Sequence, residues 1–158
     1  MKIFIVRHAS AVERFSWNGD DTDRPLDDEG SNQSLMIAKY FSDTEISSIF
    51  SSAAVRCQQT IWPTAHQFGI QIELSNSLSE GSTSQTSDLV EKLAQGEISD
   101  ASPILCSHGD VISELIRSLT LKGMSTPKRK GFAKASVWEL SFSNGTIESG
   151  LYHDSHLR

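Results

Sequence analysis

Short apolar runs alternate with longer amphipathic segments along most of the chain. The apolar runs predict six strands, which lie over residues 3–6, 46–50, 70–74, 103–107, 136–142 and 146–152. Apolar residues at three- and four-residue spacing predict four helices, which lie over residues 30–41, 53–68, 84–93 and 111–121. Residues 9–28 are polar and contain several breakers, which indicates a long ordered loop or a loop that includes a short helix.

The order of these elements predicts an α/β fold. Strands and helices alternate up to the last two strands, which is typical of a three-layer α/β/α sandwich with a mostly parallel central sheet. Asn144-Gly145 separates two alternating runs and is a strong hairpin signal, so the sheet should have an antiparallel edge at its C-terminal end. Pro63 lies inside the second helix and should kink or divide it. We expect a single domain over residues 1–158.

Composition excludes several classes of protein. The net charge of −6 argues against sequence-independent binding of nucleic-acid polymers, which requires a basic surface. The two cysteines, Cys57 and Cys106, give neither a disulfide framework nor the spacing of a zinc site. The first apolar run is too short for a signal sequence or a membrane span. We therefore expect a cytoplasmic protein with reduced thiols and no membrane partner, whose oligomeric state the sequence leaves open.

Two histidines directly follow predicted strands. Arg7-His8 ends the first apolar run, and His108 ends the run over residues 103–107. In an open α/β sheet, crevices form outside the carboxyl ends of the strands, and an arginine there offers a planar fork suited to phosphate oxygens. Taken alone, Arg7-His8 is also compatible with a strand cap, and His108 with a satisfied core histidine.

A third segment has the chemistry of an anion site. Ser51 and Ser52 follow the second strand, and Arg56 lies in the first turn of the next helix, so free backbone N–H groups are combined with a cation. A simple helix cap with a solvated arginine explains the same segment. Gly109, directly after His108, allows close approach of the backbone to a ligand.

Together these segments resemble the histidine phosphatase superfamily, the phosphoglycerate-mutase-like enzymes whose hallmark is Arg-His-Gly after the first strand. The matching stretches are Arg7-His8-Ala9, Ser51-Ser52-Ala53-Ala54-Val55-Arg56 with Gln59-Thr60, Leu78-Ser79-Glu80-Gly81 and Ser107-His108-Gly109. The resemblance extends from residue 2 to about residue 140. Ala9 departs from the usual glycine, as in some small actinobacterial-type members and in members fused to Nudix hydrolases, and its methyl group should narrow the pocket without removing a catalytic atom.

The resemblance implies a metal-independent, cofactor-free phosphatase. His8 would attack phosphorus and form a phosphohistidine that water hydrolyses, while neighbouring cations keep its imidazole neutral. Glu80 would be the general acid, although a solvated loop glutamate is the ordinary alternative. The implied catalytic residues are His8, Arg7, Arg56, Glu80 and His108, and the implied phosphate-binding residues are Arg7, Arg56, His108, Gly109, Arg24 and Ser52.

The short chain favours an open site and a bulky substrate, either a phosphorylated small molecule such as a nucleotide or a phosphoprotein such as a protein phosphohistidine. A mutase-type phosphotransferase and a low-turnover phospho-ligand binding module are the alternatives. Three weaker signals are left open: the acidic loop of Asp20, Asp21 and Asp23, which we interpret as solvated; Trp17, which is either a stacking platform or half-buried; and a basic stretch. The basic stretch consists of Lys122, Lys128, Arg129, Lys130 and Lys134. It would steer an anionic substrate or partner to the crevice, or it would be solvated.

Overall fold

The computed structural model describes residues 1–96 and 102–155 and contains the elements that the sequence predicts. The strands are β1 (Lys2–Arg7), β2 (Ile46–Ser51), β3 (Ile72–Leu74), β4 (Ser102–Ser107), β5 (Val137–Ser143) and β6 (Thr146–His153). The helices are α1 (Asp28–Tyr40), α2 (Val55–Phe68), α3 (Thr83–Gln95) and α4 (Gly109–Leu121). All ten predicted elements are present, with boundaries that move by one or two residues.

The six strands form one sheet in the order β3-β2-β4-β1-β5-β6. β1, β2, β3 and β4 are parallel, and β5 and β6 are antiparallel to their neighbours, as the alternation and the hairpin signal predict. In the hairpin, Asn144 and Gly145 both have positive φ, of 50° and 77°, which the favoured two-residue hairpin turn requires.

Helices cover both faces of the sheet, and successive residues of β1 belong alternately to the two cores that this creates. Ile3 and Ile5 belong to the core that contains Leu115 of α4, whereas Phe4 and Val6 belong to the core that contains Ile37 of α1. β4 lies in the middle of the sheet and is buried along its whole length. The three-layer sandwich is therefore confirmed.

Helix α2 differs from expectation at its proline. It runs through Pro63 as one helix of 14 residues, so the predicted division does not occur. It ends at Gly69, whose φ of 65° gives the left-handed helix cap expected of glycine. Within the described part of the chain, no helix has the length and apolarity needed to cross a membrane.

The polar segment between β1 and α1 is an ordered loop that folds against the sheet edge. It contains two single 3-10 turns, at Arg14–Ser16 and Asp21–Asp23, and a bridge between Ala11 and Leu26. Asp27 caps α1 by accepting a hydrogen bond from the backbone N–H of Gly30, and it also accepts one from the Ser10 hydroxyl. The loop after β1 is therefore fastened where it passes the crevice.

Candidate active site

The two histidines meet at the carboxyl ends of adjacent parallel strands. Arg7 at the end of β1 is directly opposite Ser107 at the end of β4, so His8 and His108 leave the sheet side by side. The helices that follow, α1 and α4, pack on opposite faces of the sheet, which opens a crevice between the two loops. The imidazole centroids lie 5.5 Å apart in an edge-to-face arrangement.

His8 is held in the tautomer that a nucleophile requires. Its Nδ1 lies 2.9 Å from the carbonyl oxygen of Ala9, and because a carbonyl only accepts, Nδ1 carries the proton and Nε2 keeps its lone pair. The side chain is only 7% exposed. Burial lowers the pKa of His8 from 6.5 to about 3, with smaller contributions from the charges of His108, Arg56 and Arg7. The neutral state was expected from like-charge repulsion, yet burial is the larger cause.

Ala9, the departure from the usual glycine, does not narrow the cleft. Its methyl group lies in the buried core on the α1 side of the sheet, and its backbone N–H donates to the Thr60 hydroxyl at 2.8 Å. The methyl group therefore affects the packing behind His8 rather than the space in front of it.

Arg7 lies against a glycine that leaves room for it. A Cβ at Gly109 would stand 2.8 Å from Cζ and 2.9 Å from Nε of Arg7, which is closer than such contacts allow. The Arg7 guanidinium donates to the carbonyl of Phe132, and its Nε is buried without a hydrogen-bond partner in the described residues. Burial lowers the pKa of Arg7, and the Asp110 carboxylate partly offsets this.

His108 is fixed from behind by Ser52. Its Nε2 lies 2.9 Å from the Ser52 hydroxyl and its Nδ1 lies 3.4 Å from a terminal nitrogen of Arg56. An arginine N–H only donates, so Nδ1 accepts and Nε2–H donates to Ser52. The buried Cys57 thiol lies 3.7 Å from the same Nε2. Ser52 lies outside the cleft lining in this arrangement and contacts the ring of His108 instead.

Arg56 is almost fully buried and is bound by two carboxylates. One terminal nitrogen donates to the backbone oxygen of Asp21 at 2.8 Å, and the other lies 3.2 Å from the Asp21 carboxylate and 3.6 Å from Glu80. The Arg56 Nε is buried and has no partner among the described residues. Glu80 also forms an ion pair with Arg14 at 2.9 Å, so its carboxylate bridges Arg14 and Arg56.

Asp21 contacts the arginines of the site, although the sequence interpretation did not include it there. We interpreted the acidic loop as solvated, but the Asp21 carboxylate contacts Arg56, lies 3.0 Å from Nε of Arg24 and lies 3.8 Å from Nε of Arg14. Its modest burial raises its pKa, but the hydrogen bond from Arg24 and the charges of Arg56 and Arg14 outweigh this and hold the pKa below its usual value. The sequence contains all four residues close to the family motifs, but no pattern in it shows that Asp21 pairs with Arg14, Arg24 and Arg56.

These residues surround a cleft of about 300 Å³. Its lining consists of Arg7, His8, Ala11, Glu13, Arg14, Phe15, Arg24, Glu80, His108, Gly109, Asp110 and Lys134. Of the basic stretch, Lys134 alone belongs to this lining, and Lys122 pairs with Glu91 instead. Trp17 is half-buried with its indole N–H on the backbone of Asp20, so the aromatic side chain at the cleft is Phe15.

The described residues contain no cluster of three or more histidine, cysteine, aspartate or glutamate side chains that could hold a metal ion. The positive charge around the cleft comes from the guanidinium groups of Arg7, Arg14 and Arg24 and from the ammonium group of Lys134. Of the predicted site residues, Arg7, His8, Arg24, Glu80, His108 and Gly109 line the cleft, whereas Arg56 and Ser52 lie behind His108 and Glu80.

Comparisons with known proteins identify the family of this chain. The model of the histidine phosphatase superfamily (branch 1) matches residues 3–101. The 8-oxo-(d)GTP phosphatase of Mycolicibacterium smegmatis is 29% identical over 151 residues, which cover 95% of this chain but 47% of that protein.

Two solved structures show the same fold. The protein histidine phosphatase SixA in complex with tungstate aligns with a TM-score of 0.76 at 21% identity, over 98% of this chain and 95% of that chain. The mycobacterial glucosyl-3-phosphoglycerate phosphatase in complex with VO3 aligns with a TM-score of 0.73 at 17% identity, over 96% of each chain. With the family model matching more than half of the sequence, this chain belongs to the histidine phosphatase superfamily.

Proposed function

We propose that the protein is a phosphatase that hydrolyses phosphomonoesters or phosphoramidates through a phosphohistidine on His8. One observation supports this most directly: a buried, neutral imidazole whose Nδ1–H is held by the Ala9 carbonyl, so that Nε2 is free to attack. A residue that only bound a phosphate would serve better as a protonated donor. The arrangement around His8 instead favours a nucleophile.

The reaction balances without a cofactor. Nε2 of His8 forms a bond to phosphorus while the bond from phosphorus to the leaving group breaks, and the leaving oxygen or nitrogen takes a proton from an acid. Water then attacks the phosphohistidine and gives up one proton, which restores the acid; the P–N bond breaks, and inorganic phosphate leaves with His8 neutral again. Arg7 and His108 line the cleft beside His8, where they would stabilise charge on the equatorial oxygens.

Arg56 would act in the same way from a deeper position. It contacts the His108 ring and Glu80, so it is close to the cleft although it does not line it. Its Nε and the Nε of Arg7 are two buried donors without partners in the described residues, and a bound oxyanion is the kind of acceptor that would satisfy them.

Glu80 is the proposed general acid. It lines the cleft on a segment that continues into Gly81, whose N–H donates to Asp110 at 3.1 Å. Its carboxylate is held by Arg14 and Arg56, so donation of a proton to the leaving group requires these contacts to be shared with the substrate.

The comparisons narrow the substrate class. SixA is a protein histidine phosphatase, and the mycobacterial relative is an 8-oxo-(d)GTP phosphatase. We therefore propose a phosphorylated small molecule of the nucleotide type or a phosphohistidine protein as the substrate of this chain.

The test is hydrolysis of p-nitrophenyl phosphate between pH 5 and pH 8 without added metal. Wild type should release p-nitrophenolate, and His8→Ala should reduce the rate to background. A rapid quench in alkaline detergent during turnover of 32P-labelled substrate should leave base-stable, acid-labile label on wild type and none on His8→Ala. Equal rates for the two proteins would refute the nucleophile, and a strict requirement for Mg²⁺ would refute the metal-independent mechanism.

A further inference from the structure

Phe15 is an exposed aromatic side chain at the mouth of the cleft. It is 89% exposed, belongs to neither hydrophobic core, and stacks on no other ring in the described residues. It nevertheless lines the same cleft as His8. Single exposed apolar residues are common on protein surfaces, so the informative observation is the position of this ring at the cleft.

The turn that presents Phe15 is fastened on both sides. Arg14 makes an ion pair with Glu80 at 2.9 Å, and the backbone N–H of Ser16 donates to the carbonyl of Glu13. The next residue, Trp17, is held by its indole N–H on the backbone of Asp20. The ring of Phe15 is therefore exposed on a turn that is already ordered. A ligand that contacts it would bind without the entropic cost of ordering this turn.

The chemistry of the site determines what reaches this ring. His8 and His108 are buried at the base of the cleft, and Phe15, Arg14 and Lys134 are exposed at its rim. In an in-line displacement the leaving group lies opposite the attacking nitrogen, which places it on the side of the rim. A leaving group with a flat ring would cover the exposed face of Phe15 there.

We propose that Phe15 is a specificity-determining residue that stacks on a planar aromatic ring in the leaving group of the substrate. This inference rests on the proposed phosphatase function and names the substrate class within it. The ring is either joined directly to the phosphate, as in an aryl phosphate, or separated from it by a sugar, as in a nucleotide.

Stacking on the leaving group is present in the ground state and in the transition state alike. Removing it should therefore raise KM and leave kcat nearly unchanged. From the usual strength of exposed aromatic stacking we expect Phe15→Ala to lower kcat/KM by about five- to tenfold for ring-bearing substrates. Substrates without the ring should change by less than about twofold.

The experiment compares two matched pairs of substrates with wild type, Phe15→Ala and Phe15→Trp. One pair is 1-naphthyl phosphate and cyclohexyl phosphate, and the other is a purine nucleoside 5′-monophosphate and ribose 5-phosphate. Phe15→Ala should raise KM for the ring-bearing member of at least one pair, and Phe15→Trp should restore it. Trp62→Ala is the control, because Trp62 is 58% exposed on α2 and lies outside this cleft.

An equal loss of kcat/KM for both members of each pair, or a fall in kcat instead of a rise in KM, would overturn the proposal. A general disturbance of the cleft rim would then explain the effect of Phe15→Ala. A second measurement separates this result from failure of the proposed function. Calorimetric titration of His8→Ala with the same compounds reports the ring preference without turnover. If wild type is inactive but Phe15→Ala still loses affinity only for the ring-bearing compounds, the role of Phe15 is supported and the phosphatase mechanism is refuted.

Discussion

Replacement of Asp21 should lower turnover without weakening phosphate binding. Asp21 lies 46% exposed at the edge of the cleft, yet its carboxylate is the point at which the side chains of Arg56 and Arg24 are joined. In Asp21→Asn, either orientation of the amide places its NH2 group against one of these two guanidinium groups. Both groups only donate, so one of the two contacts is lost. In Asp21→Ala both contacts of the Asp21 side chain are lost, and residue 21 holds Arg56 through its backbone oxygen alone.

The size of the effect follows from the contacts that are lost and kept. A hydrogen bond to a charged group contributes about 1.5–3 kcal/mol, and because Asp21 is half-exposed we take the lower end, which corresponds to about a tenfold fall in kcat. The Glu80 contact to Arg56, at 3.6 Å, remains in the variant. Loss of a negative charge beside the cleft should leave the inhibition constant of inorganic phosphate unchanged or lower it by no more than about twofold.

The assay is steady-state hydrolysis of p-nitrophenyl phosphate with inorganic phosphate as inhibitor. Asp23→Asn is the matched control, because Asp23 lies in the same 3-10 turn and makes no ion pair with a described residue. Thermal unfolding should show a loss of less than about 1 kcal/mol for Asp21→Asn, as expected for a half-exposed ion pair. Unchanged kcat, or a weaker inhibition constant at constant kcat, would refute the view that Asp21 positions Arg56 for the transition state.

Three further changes test other parts of the site. His8→Asn should abolish turnover and flatten the pH dependence of stability. The pKa of His8 is about 3 in the folded state and 6.5 in the unfolded state, so the unfolded chain binds the extra proton as the pH falls. Urea titration should therefore show that wild type loses about 2 kcal/mol of unfolding free energy from pH 7 to pH 5, which the variant keeps. An equal pH dependence in both proteins would contradict the buried neutral imidazole. Gly109→Ala should lower kcat/KM by about 10- to 100-fold, because its Cβ displaces the Arg7 guanidinium, and retention of activity would place Arg7 outside the reaction. Glu80→Gln should slow alkyl phosphates by about 100-fold but p-nitrophenyl phosphate by less than about fivefold, because p-nitrophenolate leaves without a proton, and equal losses would exclude Glu80 as the acid.

The sequence predicts the fold and the central pair of histidines because both depend on local signals. Alternation of strands and helices fixes the sandwich, and Asn144-Gly145 identifies the antiparallel edge. His8 and His108 could be placed together because parallel strands end at one edge, and the register of β1 with β4 confirms this.

The parts that the sequence could not supply depend on contacts between distant segments. No pattern shows that Asp21 meets Arg56, because the acidic loop has three similar aspartates and only the packing of the loop selects one. Ser52 was expected to bind phosphate, but its position behind His108 depends on where β2 ends relative to β4. The choice of Phe15 over Trp17 as the aromatic residue at the cleft depends in the same way on the turn at residues 14–16.

The carboxylates around the arginines explain how one site can be both stable and reactive. A buried guanidinium such as that of Arg56 needs a counter-charge, and Asp21 and Glu80 provide it. A phosphate dianion that enters the cleft competes with Glu80 for Arg56 and Arg14, and it repels the Glu80 charge. Asp21, held also by Arg24, would keep its contact with Arg56 meanwhile. In the proposed mechanism the two carboxylates would therefore have different roles: Asp21 would keep Arg56 in place, and Glu80 would give up its ion pairs when substrate binds.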